Sequence, residues 1–549
     1  IFFKGGSLKE EYDVIVVGCG AGGMLAAIAA NSNGSEVAIL EKEPLVGGTT
    51  GVSGGIIWSP MNHHMKDLNI KDSKKKAMDY FLSLSHGELD PSMLEAFVSK
   101  SAEAIKFMEE NSYVNLKVLK GYPDYYLDRP GAIKSGGRAL DNELFSFNEL
   151  GSWKNKVRLS GIPVPMTLSE TPLGGGTGHI LEAKMHERLS EDSRGMGQAL
   201  VGGLLKGCLD IGIKPFLESR VIKLLSGEEG INGVEVLYKG KRKNILCKRG
   251  VILATGGFEW NKDLVSAFLR GPMTHPSSPP GNTGDGIIMG QEVGGALGNM
   301  TSAWWTPVLS IPDEKWEEGS QKSSPLLIER TLPHSIMINQ QGKRFCNEAT
   351  NYSALAGAFH QLDPNSYSYN NLPAWIVFDA TYRGKYATGP SQPNTPIPAW
   401  MVEASTLQEL AFKLDVNAQN LLDTVSRFNK YVLEGKDADF SRGKSDYDSF
   451  YGDRSLPGIN ATLGELKKPP FYAVEIKMGC LGTNGGLKTN QHGQVVSVRD
   501  KVIEGLYAVG NVMSGVTGSV YAGAGGTLGP ALTFGYLAGK HCSGSNIKH

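Results

Sequence analysis

The chain has 549 residues, of which 40% are hydrophobic and 20% charged, and its formal net charge is −1. That length supports two or three domains around a large core, and a balanced charge without a basic stripe argues against nucleic-acid binding. Its six cysteines include no CxxC pair, which excludes a disulfide framework and a zinc ribbon, and no apolar run is long enough to span a bilayer.

In chain order, Tyr12–Val17 is an apolar run of strand type. It is followed by the turn Gly18-Cys19-Gly20-Ala21-Gly22-Gly23 and a helical stretch over Met24–Asn31. A second apolar run, Glu36–Leu40, ends on Glu41, 23 residues past Gly18. Strand, tight turn, helix N-terminus and acid together are the dinucleotide fingerprint, with Gly18, Gly20 and Gly23 shaping the pyrophosphate turn and Glu41 taking the ribose hydroxyls. Cys19 reads as a small packed residue. A second glycine-rich patch, Gly47 to Gly55, offers Gly48, Thr49, Thr50, Ser53, Gly54 and Gly55 to a flavin and its diphosphate, so FAD is expected rather than NAD. His63-His64 reads as a surface pair, and no metal site is expected.

Residues 72–112 have helical periodicity, with Pro91 at a first helical position. Residues 113–180 lack periodicity, and Gly174-Gly175-Gly176 reads as a mobile hinge or a surface loop. A helix is expected over 196–212, then strands over 214–253 that end on Val251–Leu253 and the turn Thr255-Gly256-Gly257. Gly284-Asp285-Gly286 places Asp285 among the cofactor contacts. From about residue 303 the character changes: Trp304, Trp305, a strand-like Ala374–Phe378, and a helical stretch over Leu407–Glu434. The glycine-rich pattern returns after Phe471, with Gly510 and Asn511 following another apolar run. The expected fold is α/β with an α+β insert: a discontinuous Rossmann-type FAD-binding domain over 1–302 and 481–549, and a substrate-capping domain over 303–480.

The stretch Ser519–Tyr536 holds five glycines and a proline but no charged side chain. It reads as a loop pressed on something flat, with the Tyr521 hydroxyl at its start and bare amides from there to Leu528. A helix is expected from about Gly529 to Lys540, its N-terminus aimed at the cofactor.

These motifs, with Gly342-Lys343-Arg344-Phe345-Cys346-Asn347-Glu348, cover nearly the whole chain. They resemble the fumarate reductase and succinate dehydrogenase flavoproteins, and most closely the 3-ketosteroid Δ1-dehydrogenases. The dicarboxylate enzymes of that superfamily need an arginine and a histidine where this chain has Tyr521-Ala522-Gly523 and Met478-Gly479-Cys480, so a buried carboxylate substrate there would lack its partners. The ketosteroid resemblance implies that Tyr521 and Gly525 N–H grip a C3 carbonyl oxygen, that Tyr352 removes the C2 proton, and that Tyr125 hydrogen-bonds this base. Where that family has Pro after the closing tyrosine, this chain has Ala522, which is expected to loosen the loop.

The resemblance implies 1,2-desaturation of a 3-ketosteroid with non-covalent FAD. Reoxidation would fall to a quinone, another protein or oxygen. The alternatives are a 3-keto-5α-steroid 4-dehydrogenase, a fumarate reductase-like flavoprotein and a non-catalytic flavin electron-transfer subunit. The expected location is the cytoplasm. Residues 144–178 are expected to form a lid over the tail of a long-side-chain 3-ketosterol, with a peripheral membrane contact.

Overall fold

The computed structural model describes residues 8–160 and 165–544. Glu11–Val17 pairs in parallel with Val37–Leu40 on one side and with Lys241–Leu253 on the other. Its Val-Ile-Val-Val run is buried, as a central strand covered by helices on both faces requires. Lys241–Leu253 pairs in parallel with Val502–Ala508, so strands from opposite ends of the chain lie side by side in one sheet. Gln494–Val496 closes one edge, and the antiparallel ribbon Ser219–Gly227 and Gly230–Tyr238 extends from the long strand.

The helix Leu528–Cys542 lies on Ala21–Asn31 at backbone contact. A Cβ at Gly535 would stand 2.5 Å from the Gly22 carbonyl oxygen, so only glycine permits this approach. The expected C-terminal helix is therefore present, and it buttresses the first helix of the fingerprint.

A second sheet is antiparallel. Ala303–Leu309, Phe471–Thr483, Ala374–Asp379 and Ser335–Asn339 lie in that order, with Ser324–Pro325 and Val402–Ala404 at the margins. One face packs on Phe359 and Tyr382, and the other on Leu410, Leu421 and Phe428 of two helices. Those helices are Leu407–Leu414 and Ala418–Glu434, which divide the stretch expected to be helical. Asp415 adopts φ 54, and the Asn417 side chain accepts from Asn420 N–H to start the second helix, so Asp-Val-Asn breaks the run.

The periodic region forms Lys74–Leu84 and Pro91–Asn111, capped by Ser73 and Asp90, with Pro91 at the first helical position. Between residues 113 and 178 the described chain is short strands and 3₁₀ turns; part of the expected lid, residues 161–164, lies outside the described residues. The expected hinge at Gly174-Gly175-Gly176 is instead a packed turn. A Cβ would meet the Leu168 carbonyl oxygen at 2.1 Å from Gly174 and the Glu170 carbonyl oxygen at 2.2 Å from Gly176. Among the described residues no helix is long and apolar enough to cross a membrane.

Candidate active site

The fingerprint turn forms as its residues dictate. Gly18 adopts φ +108, and a Cβ there would lie 2.3 Å from the Ala254 carbonyl oxygen, which locks the turn against the end of the neighbouring strand. Gly20 precedes Ala21–Asn31, whose first amides have no acceptor within the helix. Glu41 sits beside this turn. Its carboxylate accepts from Cys19 N–H at 2.8 Å and Glu43 N–H at 3.0 Å, and each oxygen keeps a lone pair for a hydroxyl. Burial pushes the Glu41 carboxyl up, while these two bonds hold it down. Cys19 is fully buried and burial pushes its thiol well up, as suits a packed residue.

The second glycine patch folds onto the first. Gly48–Val52 is a short helix whose Thr50 hydroxyl accepts from Ala21 N–H at 3.3 Å. A Cβ at Gly48 would meet nothing within 4 Å, so this glycine borders open space. Ser53 caps the helix end, donating to the Thr50 carbonyl at 2.8 Å, Gly54 follows it, and Gly55 turns the chain with φ +69 against Met196. The turn at Gly256 and Gly257 closes on the same patch through Asn282, which donates to Thr49 Oγ1 and to buried Glu259, each at 2.8 Å. Sequence reading missed Asn282 and Glu259, which carry no motif of their own. The aligned amides, the acid at the strand end and the open face at Gly48 fit a dinucleotide. Asp285 differs in that its carboxylate is engaged by Lys42 and Arg220, at 3.2 and 3.1 Å. Burial opposes its ionisation, but Lys42, Thr283 and Arg220 hold it below its ordinary range.

At the other end of this cradle, Asn511, beside Gly510, accepts from the Trp304 indole N–H at 3.2 Å, and Leu528 opens the C-terminal helix. This joins the two sheets next to the closing loop. The glycines of that loop serve protein packing more than expected. A Cβ at Gly523 would stand 2.6 Å from the Trp58 ring, and one at Gly525 2.4 Å from Trp58 N, while Gly525 itself adopts φ +87. The flat partner of the loop is thus partly the strand Ile57–Trp58, whose Trp58 N–H donates to the Gly525 carbonyl at 3.2 Å. Among the described residues no backbone carbonyl accepts the Gly525 N–H. The loosening expected at Ala522 is countered by two clamps: its carbonyl accepts from Tyr125 N–H at 3.0 Å and from the Tyr80 hydroxyl at 2.7 Å.

Tyr125, Tyr352 and Tyr521 come from three distant parts of the chain and meet in one buried cluster. The Tyr125 hydroxyl donates to that of Tyr352 at 3.0 Å. The Tyr521 ring stacks on Tyr125 at 5.8 Å and meets Tyr352 edge-on at 5.5 Å. Burial pushes the Tyr125 and Tyr352 hydroxyls well up, and Tyr122 and Tyr521 add to it, while the hydrogen bond from Tyr125 acts the other way on Tyr352. Burial also raises Tyr521, against which Tyr352 and Thr527 act. All three are therefore neutral donors at rest. Tyr125 thus reaches Tyr352 directly.

The cluster is larger than the sequence reading. Tyr122 bonds the Tyr451 hydroxyl, and Tyr447 packs edge-on against Tyr125 at 5.1 Å. The signal was the aromatic repeat on the short helix Asp446–Tyr451. Arg454 was also missed. Its guanidinium lies 4.2 Å over the Phe450 ring and against Gly175, whose Cβ would be 2.4 Å from it. Burial lowers its pKa while Tyr122 opposes this, and among the described residues no carboxylate pairs with it.

A dinucleotide cradle opening onto buried tyrosine hydroxyls defines the class: an FAD-dependent oxidoreductase. The chain matches the FAD binding domain family over residues 13–528. It is 37% identical to the 4-oxocyclohexanecarboxylate 2-dehydrogenase of Sinomonas cyclohexanicum, over 98% of this chain and 94% of that one. It is 34% identical to the 3-oxosteroid 1-dehydrogenase of Mycobacterium tuberculosis, over 97% and 98% of the two chains. The fold superposes with a TM-score of 0.88 and 33% identity on 3-ketosteroid delta1-dehydrogenase from Sterolibacterium denitrificans in complex with 1,4-androstadiene-3,17-dione, covering 97% of this chain and 100% of that one. The chain belongs to the FAD binding domain family, in the group that includes the 3-oxosteroid 1-dehydrogenases.

Proposed function

We propose that this enzyme introduces a double bond beside a ring ketone, by 1,2-desaturation of a 3-oxosteroid. The observation that carries this reading is the 3.0 Å bond from the Tyr125 hydroxyl to that of Tyr352, formed next to Tyr521, whose loop also carries the Gly525 N–H. The Tyr521 hydroxyl and Gly525 N–H receive the ketone oxygen. Tyr352 acts as the tyrosinate: once its hydroxyl proton has been lost to solvent, its oxygen takes the C2 proton while the Tyr125 hydroxyl donates to that oxygen. As the enolate forms, negative charge grows on the ketone oxygen, and one preorganised donor there contributes ~3–4 kcal/mol. Bound FAD supplies the acceptor for the hydride leaving C1. An external acceptor then takes the electrons.

Non-covalent FAD is supported by His63 and His64, the histidines next to the second glycine patch, because both are directed at Glu109. The cap is assigned to residues 303–480, which contribute Trp304 and Tyr352. Leu168 and Leu173 of the lid segment pack with the tyrosine cluster, which supports a lid over the substrate tail. Incubation with androst-4-ene-3,17-dione and an artificial electron acceptor tests the main reading: a cross-conjugated dienone must appear, with bleaching of the flavin when the acceptor is withheld.

A second reading keeps the chemistry and changes the substrate to a small ring ketone bearing a carboxylate. Arg454 favours it, as a partly desolvated cation without an anion beside the tyrosines. If it holds, kcat/KM is higher for 4-oxocyclohexanecarboxylate than for androstenedione, and Arg454→Gln lowers it at least ~10-fold for the keto acid alone. Equal loss on both substrates removes Arg454 from anion recognition.

A further inference from the structure

We propose that His63, His64 and Glu109 form a site for one divalent transition-metal ion of the zinc class, pinning the turn His63–Leu68 to the helix Pro91–Asn111. The three side chains lie outside the tyrosine cluster and take no part in the chemistry above. His63 Nε2 stands 3.1 Å from Glu109 Oε2, and His64 Nε2 stands 3.0 Å from the same oxygen. One ligand atom from each residue lies within 4.8 Å of the others. A tetrahedral zinc ion with bonds of ~2.0–2.1 Å sets neighbouring ligand atoms ~3.3 Å apart. The two edges to Glu109 need to widen by only a few tenths of an ångström to admit it.

The convergence is not a by-product of helical geometry. Consecutive residues in a 3₁₀ turn point ~120° apart, yet these two rings lie 4.0 Å apart between centroids and 35° from parallel, with both Nε2 atoms on one carboxylate. The carboxylate is itself held from behind, since Glu109 Oε1 accepts from Leu116 N–H at 3.1 Å, the kind of outer bond that orients a metal ligand. Lys106, the nearby cation, faces Glu110 at 3.7 Å. The His63, His64 and Glu109 side chains are 39%, 21% and 15% exposed, so an ion can enter and a water can complete the coordination. The site follows the strand Ile57–Trp58 on which the closing loop packs, so an occupied site would stiffen the floor of the substrate pocket.

The test uses the full FAD-loaded chain without a histidine tag, stripped with a chelator and titrated with zinc chloride in a calorimeter. One zinc per chain is expected, with a rise in Tm of at least ~2 °C at saturating metal. His64→Gln and Glu109→Gln should each abolish both effects while the flavin absorbance per chain stays that of the unaltered protein. The second variant keeps an acceptor for Leu116, so one of the two remains informative if the other misfolds. No binding by the unaltered chain means that the cluster is a hydrogen-bonded pair on a carboxylate and overturns the proposal. Equal binding by the chain and a folded variant overturns it too, because the metal then sits elsewhere.

Discussion

Replacing Tyr521 by Phe removes one oxygen and keeps the ring. That ring is 4% exposed and packs against Trp304, Tyr125 and Tyr352, so the variant keeps this packing and loses at most one hydrogen bond of the hydroxyl. Tyr352 still accepts from Tyr125, and the net stability cost of the missing bond is about 1 kcal/mol. In a chain of this size that lowers Tm by only about 1 °C. The chemical step suffers more, because the hydroxyl is one of two donors to an oxygen that becomes negative only as the C2 proton leaves. Loss of one such donor costs ~3–4 kcal/mol, or about 10²–10³ in rate. The ground-state ketone is a weaker acceptor, so substrate affinity should change far less than turnover. The assay is the anaerobic reductive half-reaction: protein is mixed with ketone in a stopped-flow instrument and the bleaching of oxidised flavin is followed. The limiting rate should fall at least ~100-fold at unchanged flavin content. A limiting rate within ~5-fold of the unaltered enzyme would show that Tyr521 does not hold the reacting oxygen.

Proton abstraction by Tyr352 gives a second outcome. Burial raises its pKa, so the tyrosinate fraction grows only as pH rises; kcat should therefore climb with pH and show no plateau below the ordinary tyrosine value of ~10. A flat profile from neutral pH upward would exclude it as the base. Gly525→Ala forces a side chain into φ +87, at ~1–2 kcal/mol, and drives its Cβ to 2.4 Å from Trp58 N. It should lower Tm and turnover together, whereas an unchanged Tm in a calorimetric scan would contradict the packing described. Shortening residues 150–176 to a Gly-Ser linker should raise KM for a ketosteroid with a long C17 side chain far more than for androstenedione. Equal changes in KM for the two steroids would remove the lid.

Local patterns in the sequence were enough for the turns and strands expected to form the flavin cradle. The spacing from Gly18 to Glu41, the glycines flanking Thr49 and Thr50, and the apolar strands before Gly256 and Gly510 each act through backbone conformation over a few residues, and such conformations are written in residue type. The meeting of Tyr125, Tyr352 and Tyr521 was legible only through resemblance, since nothing in 19 tyrosines distinguishes three by composition. Other features were decided by packing between distant segments. The closing-loop glycines meet Trp58 instead of only a ligand. The triple glycine near 175 is compressed against Leu168 and Glu170, so it is no hinge. The carbonyl of Ala522 is tied down by Tyr80 and Tyr125. Arg454, Asn282 and the His63–His64–Glu109 group follow the same rule: each is an ordinary polar residue until the fold sets what stands opposite it. Close approach and side-chain pairing depend on which surfaces the tertiary structure brings within a few ångströms, and neither periodicity nor spacing along the chain encodes that.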